Sequence, residues 1–163
     1  MEGGAILIGW VHMVTAAIWV GGIFFIGLVF GPVAERSESP EAKKLLQATA
    51  KRFTPIAWGA VIILIATGLV RTAGLGALNF DTLINTLYGN LLLGKIALIV
   101  IVIVNGVVIA RASLKMSKLA AATPPPLDEM DKQMIRIKYI GQINLILGLI
   151  ILFLAVALRV VGF

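Results

Sequence analysis

The chain has 163 residues, of which 60% are hydrophobic and only 13% charged, and it carries a net charge of +6. A soluble domain of this size holds about 25% charged residues. The composition therefore excludes a water-soluble globule and indicates a single membrane domain over residues 1–163. Cysteine is absent, which excludes disulfides and thiolate metal sites. The positive charge reads as loop lysines and arginines facing the cytoplasm, not as a nucleic-acid surface.

Four apolar stretches, at about 5–30, 55–73, 91–112 and 140–161, come near the ~20 residues that cross a bilayer as helix. A backbone surrounded by lipid must satisfy its own hydrogen bonds, and these runs are too long for barrel strands. The fold class is therefore all-α: a polytopic membrane protein, expected as a four-transmembrane-helix bundle.

The first stretch is too long for a signal-peptide core and lacks a basic segment before it, so it is expected to stay as a membrane helix. It holds the chain's one histidine, His12, with Gly9, Ala16 and Trp19 on the same helical face at i−3, i+4 and i+7. Gly21 and Gly22 favour close helix packing, and the Gly27/Gly31 spacing is a weak signal for a homodimer. Residues 31–54 are polar. Within them Ser39-Pro40-Glu41 reads as an N-cap, a first-turn proline and an acidic first turn. A short amphipathic helix to about Arg52 is expected to lay Ala42, Leu45, Leu46 and Thr49 on the membrane surface.

The second span ends near Arg71. The connection 74–90 is short and holds Asp81, the nearest acidic partner for Arg71. Lys95 lies about a turn into the third span, with Asn105 deeper. In the connection 113–139, Thr123-Pro124-Pro125-Pro126 reads as a stiff linker. A helix from Leu127 is expected to run unbroken into the fourth span, where Asn144 matches the depth of Asn105. That match predicts an interhelical hydrogen bond. Arg159 lies about a turn from the end, and Trp10, Tyr88 and Tyr139 suit an interfacial belt.

Basic residues set the expected topology. The first connection holds Arg36, Lys43, Lys44, Lys51 and Arg52, and the third with its flank holds Arg111, Lys115, Lys118, Lys132, Arg136 and Lys138. The second holds none. The positive-inside rule then puts both termini outside and loops 31–54 and 113–139 in the cytoplasm of a plasma or inner membrane.

An ionisable side chain at membrane depth is a functional candidate. At ~1.5 Å per residue His12 sits roughly 10 Å from the outer end of its helix. Arg71, Lys95 and Arg159 fall toward the same level. They either snorkel to headgroups or form an anion site, such as one for haem propionates with His12 as axial ligand and Trp19 against the ring. Copper is the other candidate, because imidazole and thioether donors suit Cu(I). The thioethers nearest His12 are Met13 and Met1, although adjacent helix positions diverge by about 100°. A further reading is a non-catalytic subunit of a membrane complex, its polar residues serving packing and partner contacts.

The run His12, Ala16, Trp19, Gly21, Gly22 resembles the opening of the copper-resistance protein D (CopD) domain. Thr67-Gly68-Leu69 and Tyr88-Gly89-Asn90-Leu91-Leu92-Leu93-Gly94-Lys95 are also similar to that family, so the resemblance spreads over the first three helices. His12, Trp19 and Gly22-Ile23-Phe24-Phe25, with Lys95, further resemble the HemJ-type protoporphyrinogen oxidase family, which implies b-type haem. The chain departs from that family at Leu28 and Val33, where an arginine and a second histidine are expected. Together these resemblances imply a cofactor site at His12. Haem b for electron transfer is the leading expectation, and if the protein is an enzyme it is a haem-dependent membrane oxidoreductase. Copper binding and transport is the alternative.

Overall fold

Where water cannot reach the backbone, N–H and C=O groups must pair within their own segment. Among the described residues every regular element is accordingly helical. The computed structural model describes residues 2–37, 39–74 and 79–162. Its elements are α1 (Glu2–Phe24), a π-helical turn (Phe25–Phe30), α2 (Gly31–Arg36), α3 (Pro40–Gly74), α4 (Phe80–Asn85), α5 (Leu87–Ala120) and α6 (Leu127–Val161). Four helical stretches, Gly3–Arg36, Pro40–Gly74, Leu87–Ala120 and Leu127–Val161, are long and apolar enough to cross a membrane. In α3 only 6% of the most apolar window is buried inside the protein. Apolar side chains such as Ile62, Phe153 and Val160 are largely exposed, as suits lipid surroundings.

The chain divides into two compact units, Met1–Asn90 with Val161–Phe163, and Leu91–Val160. In the first unit α1 packs along α3. Two contacts set their direction: His12 meets Thr67 and Gly68, and Gly22 meets Phe53. The helices are therefore antiparallel. A methyl added at Gly22 would overlap the Phe53 ring, so this glycine is what lets an aromatic ring lie on α1. Overpacking of this kind costs about 1–3 kcal/mol. Gly22→Ala should destabilise the protein within that range, and Phe53→Leu in the same chain should recover much of the loss. Thermal unfolding of the single and double variants checks this.

The π turn has a local cause. Pro32 has no N–H, and its ring presses on the carbonyl one turn back, at Leu28. Widening the preceding turn relieves that pressure. Gly31 closes the wide turn with its N–H on the Ile26 carbonyl. A Cβ at Gly31 would sit 2.8 Å from that same oxygen.

The segment after Ser39 is helical, as its capping residues predict: the Ser39 hydroxyl accepts from the Ala42 N–H at 3.3 Å. The Glu41 carboxyl, bonded to its own backbone N–H and to Ser39, is held below its usual value. The separate amphipathic helix expected there does not exist, however. Pro40 to Gly74 is one helix of 35 residues with Pro55 inside it. Pro55 removes one backbone bond, and the Thr54 hydroxyl back-bonds to the Ala50 carbonyl at 2.9 Å beside it. Lys51, whose carbonyl loses its partner, is exposed and can be solvated. Of the expected face, Leu45 stays 58% exposed, while Thr49 turns toward the first membrane helix. Thr49, Arg52, Phe53 and Ile56 line a recess of about 280 Å³ with Gly22, Phe25 and Ile26.

Residues 75–78 of the second connection lie outside the described residues. Its remainder forms α4, capped by Asn79, whose side chain accepts from the Asp81 N–H at 3.0 Å. In the second unit α6 is continuous from Leu127 as expected, and the triple-proline segment separates it from α5. Asn105 donates to Asn144 at 2.9 Å, which realises the predicted interhelical bond. Asn144 is only 6% exposed. Asn105→Ala therefore strands a buried amide, and equilibrium unfolding in mild detergent should show a loss of about 1 kcal/mol. Lys115 and Glu129 pair at 3.2 Å across the loop, both about half exposed. Such a pair contributes at most about 1 kcal/mol.

Candidate functional site

His12 sits mid-way along α1, half-buried, with its ring turned toward α3. Its Nδ1 lies 2.7 Å from the Thr67 hydroxyl. That hydroxyl also lies 2.6 Å from the Ile63 carbonyl and 3.3 Å from the Leu64 carbonyl of its own helix. Back-bonding of this kind lets a threonine sit in an apolar helix without an unsatisfied donor. Gly68 leaves the imidazole room: a methyl there would come 3.6 Å from His12 Cε1, an ordinary contact. The site is thus an imidazole held edge-on against a threonine–glycine step, with a backbone carbonyl behind the threonine.

The other site residues divide. Trp19 is only 7% exposed, so its ring is part of the packed interior. Met13 is 56% exposed, on a different side of α1 from the face that carries His12 toward Thr67. Met1 lies outside the described residues. Arg71, half-buried, is in the last turn of α3, one helical turn beyond Thr67. Arg159 is exposed in the last turn of α6. Both cations therefore stand at helix C-termini, where they complement the backbone dipole. Lys95 and Arg159 belong to the second unit, whereas His12 and Arg71 belong to the first.

The pairing of Asp81 with Arg71 does not form. Asp81 sits in the first turn of α4 and accepts from Asn85 instead, because the Asn79 cap turns it into its own short helix. Trp10 and Tyr139 are exposed at 60% and 64%, as belt residues should be. Tyr88 differs, being 9% exposed. It stands at the tight α4–α5 step, where Gly89 draws the two helices together.

No group of three or more His, Cys, Asp or Glu side chains with metal-binding geometry occurs among the described residues. The donor set toward a metal is thus one imidazole and any thioether or second-chain ligand that joins it. That suits a weakly held, exchangeable soft ion better than a closed resident centre.

Reasoning from the sequence missed the partnership of His12 with Thr67. A signal for it was present. Antiparallel helices bring a residue about seven positions into the first span level with one about six positions before the end of the second. Thr67 is the polar side chain at that level.

Comparisons with known proteins place the chain beside copper-related membrane proteins. The chain is 34% identical over 103 residues to the copper transport protein CutJ of Bacillus subtilis (strain 168), a match that covers 63% of this chain and 18% of that protein. The chain thus spans less than a fifth of that relative's length. No solved structure matches it. The family model for copper resistance protein D matches residues 47–158. Thr67-Gly68-Leu69 and the Tyr88–Lys95 run fall inside that region. His12 and Trp19 fall before it, so the family match rests on the second to fourth membrane helices and not on the first three. The haem expectation finds no support in either comparison. With four membrane-length helices and a family match over more than half its residues, the chain belongs to the CopD (copper resistance protein D) family.

Proposed function

We propose that this protein binds copper within the membrane and passes it across the bilayer, with His12 as the ligand in the outer half. The observation that carries the reading is the copper-resistance family match over residues 47–158. The His12 imidazole, which meets Thr67 of that matched region, is the chain's one imidazole and lies within a candidate membrane span. Copper here is cargo. A single imidazole with sparse thioether support holds Cu(I) loosely enough to release it, which transport requires. In this reading both termini lie outside, because the basic connections 31–54 and 113–139 stay in the cytoplasm.

Copper uptake into proteoliposomes containing the purified protein tests the reading. We expect Cu(I) accumulation above that of empty vesicles and a preparation without visible colour. A Soret band in the purified protein, with no copper uptake, would return the site to haem.

A further inference from the structure

We infer that Thr67 sets the tautomer of His12, so that the imidazole offers Nε2 to copper. The inference rests on His12 being the copper ligand and names the residue that prepares it.

The geometry of one hydroxyl carries the argument. Thr67 Oγ1 has a single proton and two close partners, the Ile63 carbonyl oxygen at 2.6 Å and His12 Nδ1 at 2.7 Å. Two oxygens at 2.6 Å repel unless a proton lies between them, since that distance belongs to an O–H···O bond. The Ile63 carbonyl has no proton to give. The hydroxyl proton therefore points at Ile63, and Thr67 Oγ1 meets the imidazole with a lone pair. Nδ1 must then carry the hydrogen and donate it. In the neutral ring, a proton on Nδ1 leaves the lone pair on Nε2.

The opposite assignment fails on the same atoms. If the hydroxyl donated to Nδ1, the contact with Ile63 would become two facing lone pairs at the shortest distance in the cluster. The third contact, to the Leu64 carbonyl at 3.3 Å, is too long to compete for the proton.

This chain of donors does for copper what a carboxylate or carbonyl behind a metal-bound histidine does elsewhere. It fixes the tautomer, orients the ring and makes the ligating nitrogen more basic. The two bonds run in one direction, from Nδ1–H to Thr67 and from Thr67 to Ile63, so each polarises the other. The backbone carbonyl at the end is part of α3 and cannot rotate away. Gly68, with no side chain, leaves the ring room beside Cε1. His12 is thereby held by α3 through Nδ1.

Because the chain has one histidine, 15N-histidine labelling gives one pair of ring resonances without assignment. In copper-free protein in lipid nanodiscs at neutral pH, we expect a protonated, pyrrole-type Nδ1 and an unprotonated, pyridine-type Nε2. Thr67→Val removes the acceptor with little change of shape and should move the ring toward the Nε2–H tautomer. Thr67→Ser should keep the wild-type spectrum. Titration against a Cu(I) chelator should show about 10–100-fold weaker binding for Thr67→Val, the usual cost of losing a group behind a ligating histidine, and wild-type binding for Thr67→Ser. A wild-type spectrum with the proton on Nε2 overturns the inference. So does equal Cu(I) affinity for wild type and Thr67→Val, and in that case the copper reading survives. If the Nδ1–H tautomer is seen but His12→Ala binds Cu(I) as wild type does, the tautomer is supported and the copper role of His12 fails.

Discussion

Replacing His12 with alanine is expected to abolish stoichiometric Cu(I) binding, and with it copper uptake into proteoliposomes. The effect should exceed the roughly 10–100-fold that follows loss of a group behind the ligand, because His12 is the chain's only imidazole and there is no thiolate to replace it. Met13, the neighbouring thioether, stands on another side of α1 and is 56% exposed, so it cannot take over the position beside Thr67. Folding should be largely unaffected. The half-buried ring leaves behind a threonine hydroxyl that keeps its bond to the Ile63 carbonyl. Circular dichroism and unfolding temperature near wild type, combined with lost Cu(I) competition, is the expected pair of results. Unchanged Cu(I) affinity would remove His12 from the transport path.

Gly89→Ala should give the largest loss of stability. A Cβ at this position would run into the backbone carbonyls of Thr82 and Leu83, where α4 folds back on the start of α5. Side chains can rotate away from an added methyl, as Phe53 can from one at Gly22, but helical carbonyls cannot. The cost should therefore reach or pass the upper end of the ~1–3 kcal/mol typical of overpacking. The Gly89 N–H donates to the Thr86 hydroxyl at 3.0 Å, which holds the turn closed and limits how far the backbone can shift to relieve the clash. Poor membrane accumulation and a lowered unfolding temperature for Gly89→Ala, beside near-normal behaviour for Gly94→Ala, would confirm the contrast. Gly94 lies on the same helix with open space around it.

The apolar runs and the proline linker were legible along the chain because membrane crossing depends on local composition. Twenty apolar residues report their own helix, and Ser39-Pro40 reports its start. The Asn105–Asn144 bond was legible for a related reason: a polar amide in an apolar span needs a partner at its own depth. The joining of the amphipathic segment to the second span was not legible, since Pro55 ordinarily marks a boundary. Within the helix, the Thr54 back-bond to the Ala50 carbonyl and the exposed position of Lys51 accompany the proline. Likewise Tyr88 carries the composition of a belt residue, yet it is 9% exposed where α5 begins beside Gly89.

By itself, the sequence determined that this is an all-helical membrane protein with one imidazole at membrane depth. Hydrophobic length and the rarity of ionisable groups in lipid are properties of single segments. Which partner that imidazole meets was decided only in three dimensions. The proton on His12 is placed by a hydroxyl 55 positions away, and that hydroxyl is itself aimed by the carbonyl of Ile63. Hydrogen bonds are directional and act over about 3 Å, so they exist only after α1 and α3 have packed antiparallel and brought Thr67 and Gly68 against His12.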